Sequence, residues 1–236
     1  MSPIRTSPRY DVPVRFLCSL VFTVLAAHGA HAGSKGGATA RGAGEDVEAV
    51  LRLMPNPAHG REIFRLCASC HGAEDTGLPK GWVPEIAGQH VRVIVKQLVD
   101  FRHGRRWDLR MEVVAGRHIL KASQDIVDVA SYAASLTPVQ SRALGAGEGV
   151  SHGQQLYEAH CLACHGRAGE GSNTRFVPRL EGQDYYYLLR QLHDAIDGRR
   201  PGLTATHAKL LRAFDAADLE GLADYLSKLQ SQSGRS

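Results

Sequence analysis

The chemistry-bearing residues of this chain are two copies of the pattern C-x-x-C-H, at residues 67–71 (CASCH) and 161–165 (CLACH). Two thiols at this spacing can each bond one vinyl group of the same porphyrin, and the adjoining histidine can ligate the iron. The pattern therefore predicts two covalently bound haem c groups, with His71 and His165 as proximal iron ligands. The predicted cofactor-binding residues are Cys67, Cys70, His71, Cys161, Cys164 and His165.

These cysteines have two other possible roles, as zinc ligands or as a redox pair. Zinc ribbons bring two C-x-x-C pairs together at a separation of about 15–20 residues. Here the pairs lie 94 residues apart, and each has its own histidine. A thioredoxin-like redox pair would need a βαβ context, which the sequence does not suggest. The spacing favours haem.

In haem sites of this kind, methionine is the other side chain that ligates the iron, on the side opposite the histidine. The chain has three methionines: Met1 starts the leader, Met54 precedes the first C-x-x-C-H motif, and Met111 follows it. The position of Met111 between two predicted helices favours ligation of the first iron. The alternative is that Met111 fills a gap in the core.

No methionine follows the second motif, and the position equivalent to Met111 falls on Thr204 or Ala205. His207 lies within a helical turn of that position and is the predicted sixth ligand of the second iron. It would give a bis-His haem of lower potential, because a thioether ligand raises the potential. An open or water-bound sixth position is a further possibility, and His193 or Lys209 could also ligate.

A pair of arginines recurs at the same place in both halves. The segments are Gly104-Arg105-Arg106 and Gly198-Arg199-Arg200. Guanidinium groups bind carboxylates in a bidentate fashion, so their repetition favours haem propionates as partners. The alternative is a solvated turn.

The elements that position these residues come from a duplicated unit. Matches 94 residues apart include both C-x-x-C-H motifs, a P-x-x-x-G-Q segment and the G-R-R turn, and the offset becomes 93 near the end. The repeat predicts domains at residues 47–138 and 150–230, joined by a linker at 139–149. Apolar residues at helical spacing predict helices over most of each unit, with Ser123 and Asp215 as N-caps of the last ones.

Residues 1–32 have the layout of a secretory signal peptide. A basic start runs to Arg15, an apolar run covers 16–27, and Ala30-His31-Ala32 forms a small-x-small cleavage site. The apolar run is shorter than the roughly 18 residues that a spanning helix needs. We therefore expect a periplasmic mature protein that does not span the membrane. Residues 33–46 are Gly-rich and predicted to be a flexible segment.

The chain resembles the diheme cytochrome c4 and c553-like family. The resemblance rests on the two C-x-x-C-H motifs, the two P-x-x-x-G-Q segments and a closing D-x-x-x-x-A-x-Y helix in each half. It implies an all-α fold of two tandem class I cytochrome c domains, each wrapped around one haem. It also implies that the carbonyls of Pro84 and Pro178 contact the proximal imidazoles. The family uses His and Met on each iron, so the second half departs from its pattern.

The resemblance implies electron transfer between redox partner proteins, and the chain is therefore expected to be a carrier more than an enzyme. One alternative is a haem enzyme in which the second haem, lacking a methionine, binds a small substrate. Another is a fixed subunit of a larger dehydrogenase or oxidase. A formal net charge of +4 is too small to suggest a nucleic-acid partner.

Overall fold

The structure, a computed structural model, describes residues 47–72, 83–138 and 143–229. These residues are helical and contain no strand, apart from an isolated bridge between Ser172 and Val177. The all-α prediction is confirmed. The predicted signal peptide (1–32), the flexible segment (33–46) and linker residues 139–142 lie outside the described residues. The domain limits drawn from the repeat stay a prediction.

The two halves contain corresponding helices. After helical residues 47–51, the first half has α1 (Pro57–His71), α2 (Val91–Arg102), α3 (Leu109–Ala115) and α4 (Ser123–Ser135). The second half has α5 (Val150–His160), α6 (Leu162–His165), α7 (Tyr185–Ile196), α8 (Ala205–Leu211) and α9 (Ala216–Lys228). Within the described ranges, no helix is both long and apolar enough to cross a membrane.

Polar caps define where several helices begin. Asp215 is the N-cap of α9, as predicted, and its carboxylate accepts from the Asp218 N–H at 2.9 Å. Ser123 was wrong as an N-cap, because it is already the first residue of α4 and Ala122 precedes it. The Asp125 carboxylate accepts from the Ala122 N–H at 3.0 Å. This bond is the half of a capping box in which the third helical residue reaches back to the N-cap N–H, and the alanine at the N-cap has no side-chain acceptor to return it.

The first and last helices of each half cross at a glycine. A Cβ atom on Gly60 of α1 would lie 2.2 Å from the Asp128 carbonyl oxygen of α4. A Cβ atom on Gly153 of α5 would lie 1.9 Å from the Gly221 carbonyl oxygen of α9. Only a residue without a Cβ atom permits the two backbones to come so close, so glycine sets the spacing of the helices. The crossing fixes the end of the helix that leads into each C-x-x-C-H motif.

Candidate haem-binding sites

The first site starts at the C-terminal end of α1. Cys67, Cys70 and His71 occupy its last turn, where residues three and four apart share a face. The His71 Nδ1–H donates to the Pro84 carbonyl at 2.9 Å, which leaves Nε2 free to bind a metal. Burial lowers the pKa of His71, with the Pro84 hydrogen bond opposing it, so the imidazole is neutral. A neutral imidazole is the form that binds a metal.

A cavity of about 230 Å³ opens beside this turn. Cys67, Cys70, His71 and Met111 all line it. Met111 is on α3, whose N-cap Asp108 accepts from the Arg110 and Met111 N–H groups. Met54, by contrast, is 86% exposed. The two thiols, the imidazole and the apolar walls fit a haem, and the Met111 side chain lies on the wall of the same cavity. Apolar wall residues include Phe64, Ile86, Val93, Ile94, Leu98, Phe101, Val114, Leu120 and Val129.

The second site is built in the same way around α6. Cys161 separates α5 from α6, and Cys164 and His165 end α6. The His165 Nδ1–H donates to the Pro178 carbonyl at 3.2 Å. Burial lowers the pKa of His165 to about 4, and the Pro178 hydrogen bond opposes this only partly. Both prolines thus make the contact that the resemblance implied.

His207 faces His165. It is the third residue of α8, and its N–H donates to Oγ1 of the N-cap Thr204 at 3.2 Å. The centres of the His165 and His207 rings are 6.3 Å apart. With metal–nitrogen bonds of roughly 2 Å, two imidazoles on opposite sides of one ion have ring centres about 6 Å apart. The rings therefore fit ligands of a single iron, whereas His193 and Lys209 are exposed.

The repeated arginines divide into two roles. Arg105 pairs with Asp100 at 2.9 Å and Arg199 with Asp194 at 3.2 Å, so both have carboxylate partners inside the protein. Neither of these two arginines lines the cavity of the first site. Arg106 and Arg200 line the cavity instead and remain candidates for propionates.

Arg106 also connects the halves. It donates to Gln97 Oε1 at 2.6 Å in its own half, and to Tyr187 Oη at 2.7 Å and Gln191 Oε1 at 2.6 Å across the interface. Burial, and then the nearby Arg106 charge, lower the pKa of Arg200 to about 10. Five arginines and two acidic residues, Glu85 and Asp108, line this cavity, so its environment is positive and suited to carboxylates.

Two functional residues had no role assigned from the sequence. Gln89 and Gln183, the last residues of the repeated P-x-x-x-G-Q segments, bind the backbone of the opposite half. The signal was present, because both glutamines recur at the 94-residue offset. Nothing in the repeat showed that each contacts the other copy.

Comparison with known proteins agrees with this geometry. The family model "Cytochrome c" matches residues 57–137 and again 150–230. The chain belongs to the cytochrome c family, as a protein of two tandem domains, and it carries two covalently bound haem c groups.

Individual relatives indicate which type of cytochrome c the chain is. The chain is 30% identical to cytochrome c4 of Pseudomonas aeruginosa over 180 residues, which cover 73% of this chain and 88% of the relative. It is 31% identical to a thiosulfate dehydrogenase electron acceptor of Stutzerimonas stutzeri, covering 79% and 94% of the two chains. The structure of reduced cytochrome c4 from Pseudomonas stutzeri matches with a TM-score of 0.65 and 25% identity, covering 75% of this chain and all of that one. Within the cytochrome c family, the chain is therefore a diheme electron-transfer cytochrome of the cytochrome c4 type.

Proposed function

We propose that this chain is exported by a signal peptide at residues 1–32 and acts in the periplasm as a soluble diheme carrier between redox partner proteins. The leader pattern of the sequence supports export, and haem attachment to C-x-x-C-H in bacteria takes place outside the cytoplasm. Membership of the cytochrome c4-like family supports the carrier role.

Both sites bind haem through two cysteines and a proximal histidine. The ligand on the other side of the iron differs between them. Cys67 and Cys70 bind the first porphyrin, with His71 and Met111 on its iron. The second porphyrin is bound by Cys161 and Cys164, with His165 and His207 on its iron. The observation that carries this asymmetry is the 6.3 Å separation of the His165 and His207 rings.

The unlike ligands give the carrier a direction. When bound, the haem irons supply the one-electron chemistry. Met111 raises the potential of the first site relative to imidazole, and His207 keeps the second site lower. Electrons from a donor therefore enter through the second half and leave through the first. One relative is named a thiosulfate dehydrogenase electron acceptor, which makes a dehydrogenase of this kind a candidate donor.

The same geometry argues against the enzyme alternative. A haem that turns over a small substrate needs a coordination position that the substrate can reach. His207 lies opposite His165 on a helix that Thr204 caps, so the imidazole is held where a substrate would bind. An electron carrier needs no such open position.

Optical and EPR spectra of the purified holoprotein test this assignment. We expect two low-spin haems that do not bind CO rapidly, and one near-red thioether charge-transfer band of half the intensity of a protein with two such ligands. The His207→Ala variant should convert one haem to a high-spin, CO-binding form, whereas the control His193→Ala should leave both haems unchanged.

Three results would contradict the proposal. Absence of the near-red band would remove Met111 as a ligand. An unchanged spin state in His207→Ala would remove His207, and CO binding by the unmodified protein would favour the enzyme alternative.

A further inference from the structure

Gln89 and Gln183 make reciprocal contacts across the interface between the two halves. Gln183 Oε1 accepts from the Glu85 N–H at 3.2 Å, and its Nε2 donates to the Glu85 carbonyl at 2.5 Å. Gln89 Oε1 accepts from the Arg179 N–H at 2.9 Å, and its Nε2 donates to the Arg179 carbonyl at 3.0 Å. Glu85 and Arg179 are equivalent positions of the repeat. Each glutamine thus binds the same backbone unit of the opposite copy.

The unit that Gln183 binds is directly connected to the first proximal histidine. The Glu85 N–H and the Pro84 carbonyl belong to one peptide group, and that carbonyl accepts from His71 Nδ1–H at 2.9 Å. A continuous chain of hydrogen bonds therefore runs from Gln183 Oε1 through this peptide group to His71.

The second half repeats the arrangement with the roles of the halves exchanged. The Arg179 N–H and the Pro178 carbonyl form one peptide group, and the carbonyl accepts from His165 Nδ1–H at 3.2 Å. Gln89 of the first half binds the N–H of this group. Each proximal histidine is thus linked to a glutamine of the other half.

Hydrogen bonds in such a chain strengthen one another. An acceptor on the N–H side of an amide polarises it and makes its carbonyl oxygen more negative, with cooperative strengthening of about 10–30% per bond. A stronger acceptor at Nδ1–H makes the imidazole more basic and a better donor to a metal. A better donor stabilises ferric over ferrous iron and so lowers the potential of its site.

We propose that Gln183 sets the potential of the haem held by His71, and that Gln89 sets the potential of the haem held by His165. Each half then tunes the iron bound by the other half, acting through a proline peptide group. The glutamines are positioning residues, since neither is an iron ligand. The inference rests on the proposed function in one respect, the role of His71 and His165 as iron ligands.

The competing explanation is that the glutamines only hold the halves together. Gln183 is 7% exposed, and removing its hydrogen bonds would loosen the interface under either explanation. A loosened interface would shift the potentials of both haems in the same way, whichever glutamine is substituted. The tuning proposal instead predicts a crossed pattern.

The experiment compares Gln183→Met with the matched variant Gln89→Met in spectroelectrochemical titrations of the holoprotein. We expect Gln183→Met to shift the ferric/ferrous equilibrium of the Met111-ligated haem about threefold towards ferrous. At 59 mV per tenfold for one electron, this is about 28 mV upward. The other haem should keep its potential, and Gln89→Met should give the reverse pattern.

Glutamate variants test whether another acceptor can replace the glutamine oxygen, and they should not raise the potential as the methionine variants do. A carboxylate loses the bond to the Glu85 or Arg179 carbonyl, but one of its oxygens still accepts from the peptide N–H, and its charge polarises the peptide more strongly. Gln183→Glu and Gln89→Glu should therefore leave the opposite haem at or below its original potential. These variants also keep the proposal falsifiable if a methionine variant does not fold.

Equal shifts of both haems, a shift only in the haem of the substituted half, or no shift in any variant would overturn the proposal. The haem content and the near-red thioether band separate this failure from a failure of the proposed ligation. If the band is absent, the two variants must still move different potentials, and movement of the same potential by both refutes the proposal.

Discussion

At the scale of single residues, a histidine near the start of α1 is held by the last helix of the first half. His59 Nδ1 lies 2.8 Å from Asp128 Oδ2, and His59 Nε2 lies 3.9 Å from Asp125 Oδ1. The hydrogen bond with Asp128 raises the pKa of His59, with slight burial opposing it. Burial alone would raise the pKa of Asp128, but its bonds from Asn56 N–H, His59 and Gln124 outweigh burial and lower it.

These shifts predict how the stability of the protein depends on pH. Since the folded-state pKa of His59 is raised, its stabilising contribution is complete below the unfolded value of 6.5 and is lost as pH rises through the folded value. The Asp128 contribution is present above its unfolded value of 3.8 and is lost as pH falls through its lowered folded value. The pair should stabilise the fold most in mildly acid solution.

Thermal unfolding of the holoprotein and of His59→Gln between pH 5 and 9 measures this contribution. We expect the difference in Tm between the two proteins to be largest near pH 5 and to shrink towards pH 9. A difference that is constant over this range would show that His59 acts by packing alone.

At the scale of helices, the crossings of α1 with α4 and of α5 with α9 determine where each C-x-x-C-H motif lies. Aromatic pairs flank both crossings: Phe64 and Tyr132 have ring centres 5.4 Å apart, and so do Tyr157 and Tyr225. Glycine permits the backbone approach, and the aromatic rings fill the space beside it.

We expect Gly153→Ala to destabilise the protein by about 1–3 kcal/mol, because the added methyl group overpacks a contact with backbone that cannot move aside. The control Ser151→Ala lies on the exposed face of the same helix and should change the unfolding free energy by less than about 0.5 kcal/mol. Denaturant unfolding compares them. Equal stability of the two variants would mean that the helices separate at little cost.

At the scale of the whole molecule, the two halves form one structure through contacts that the repeat makes nearly symmetrical. The Trp107 N–H donates to the Arg199 carbonyl at 2.9 Å, and the Gly202 N–H donates to the Arg105 carbonyl at 2.8 Å. The symmetry is offset by one residue, since the repeat equivalent of Trp107 is Pro201, which has no N–H. With Arg106 and the two glutamines, these bonds couple the halves.

Scanning calorimetry tests this coupling. We expect the holoprotein to unfold in one transition whose calorimetric and van't Hoff enthalpies agree. Arg106→Met removes charge-assisted bonds to Tyr187 and Gln191, and it should cost about 1.5–3 kcal/mol and broaden or split the transition. The control Arg117→Met replaces an exposed arginine and should behave like the unmodified protein. Two transitions in the unmodified protein would show that the halves unfold independently.

Local patterns in the sequence account for much of this picture. The spacing of Cys67, Cys70 and His71 predicts haem attachment because all three lie within one helical turn, where covalent geometry decides their positions. The same holds for the helices, whose apolar spacing is also local. Ser123 was misplaced by one residue because Asp125, two positions further on, accepts from the Ala122 N–H, and the helix therefore begins at Ser123.

The sequence by itself determined that the chain has two C-x-x-C-H sites and that its second half lacks a methionine. Only the tertiary structure decided what surrounds each site. It placed His207 opposite His165, paired Arg105 and Arg199 with aspartates, and directed each glutamine to the other half. The physical reason is distance along the chain: His165 and His207 meet only when α8 packs against the second site. The two C-x-x-C-H copies are alike in sequence, but each half brings a different side chain to its own site, Met111 in the first and His207 in the second.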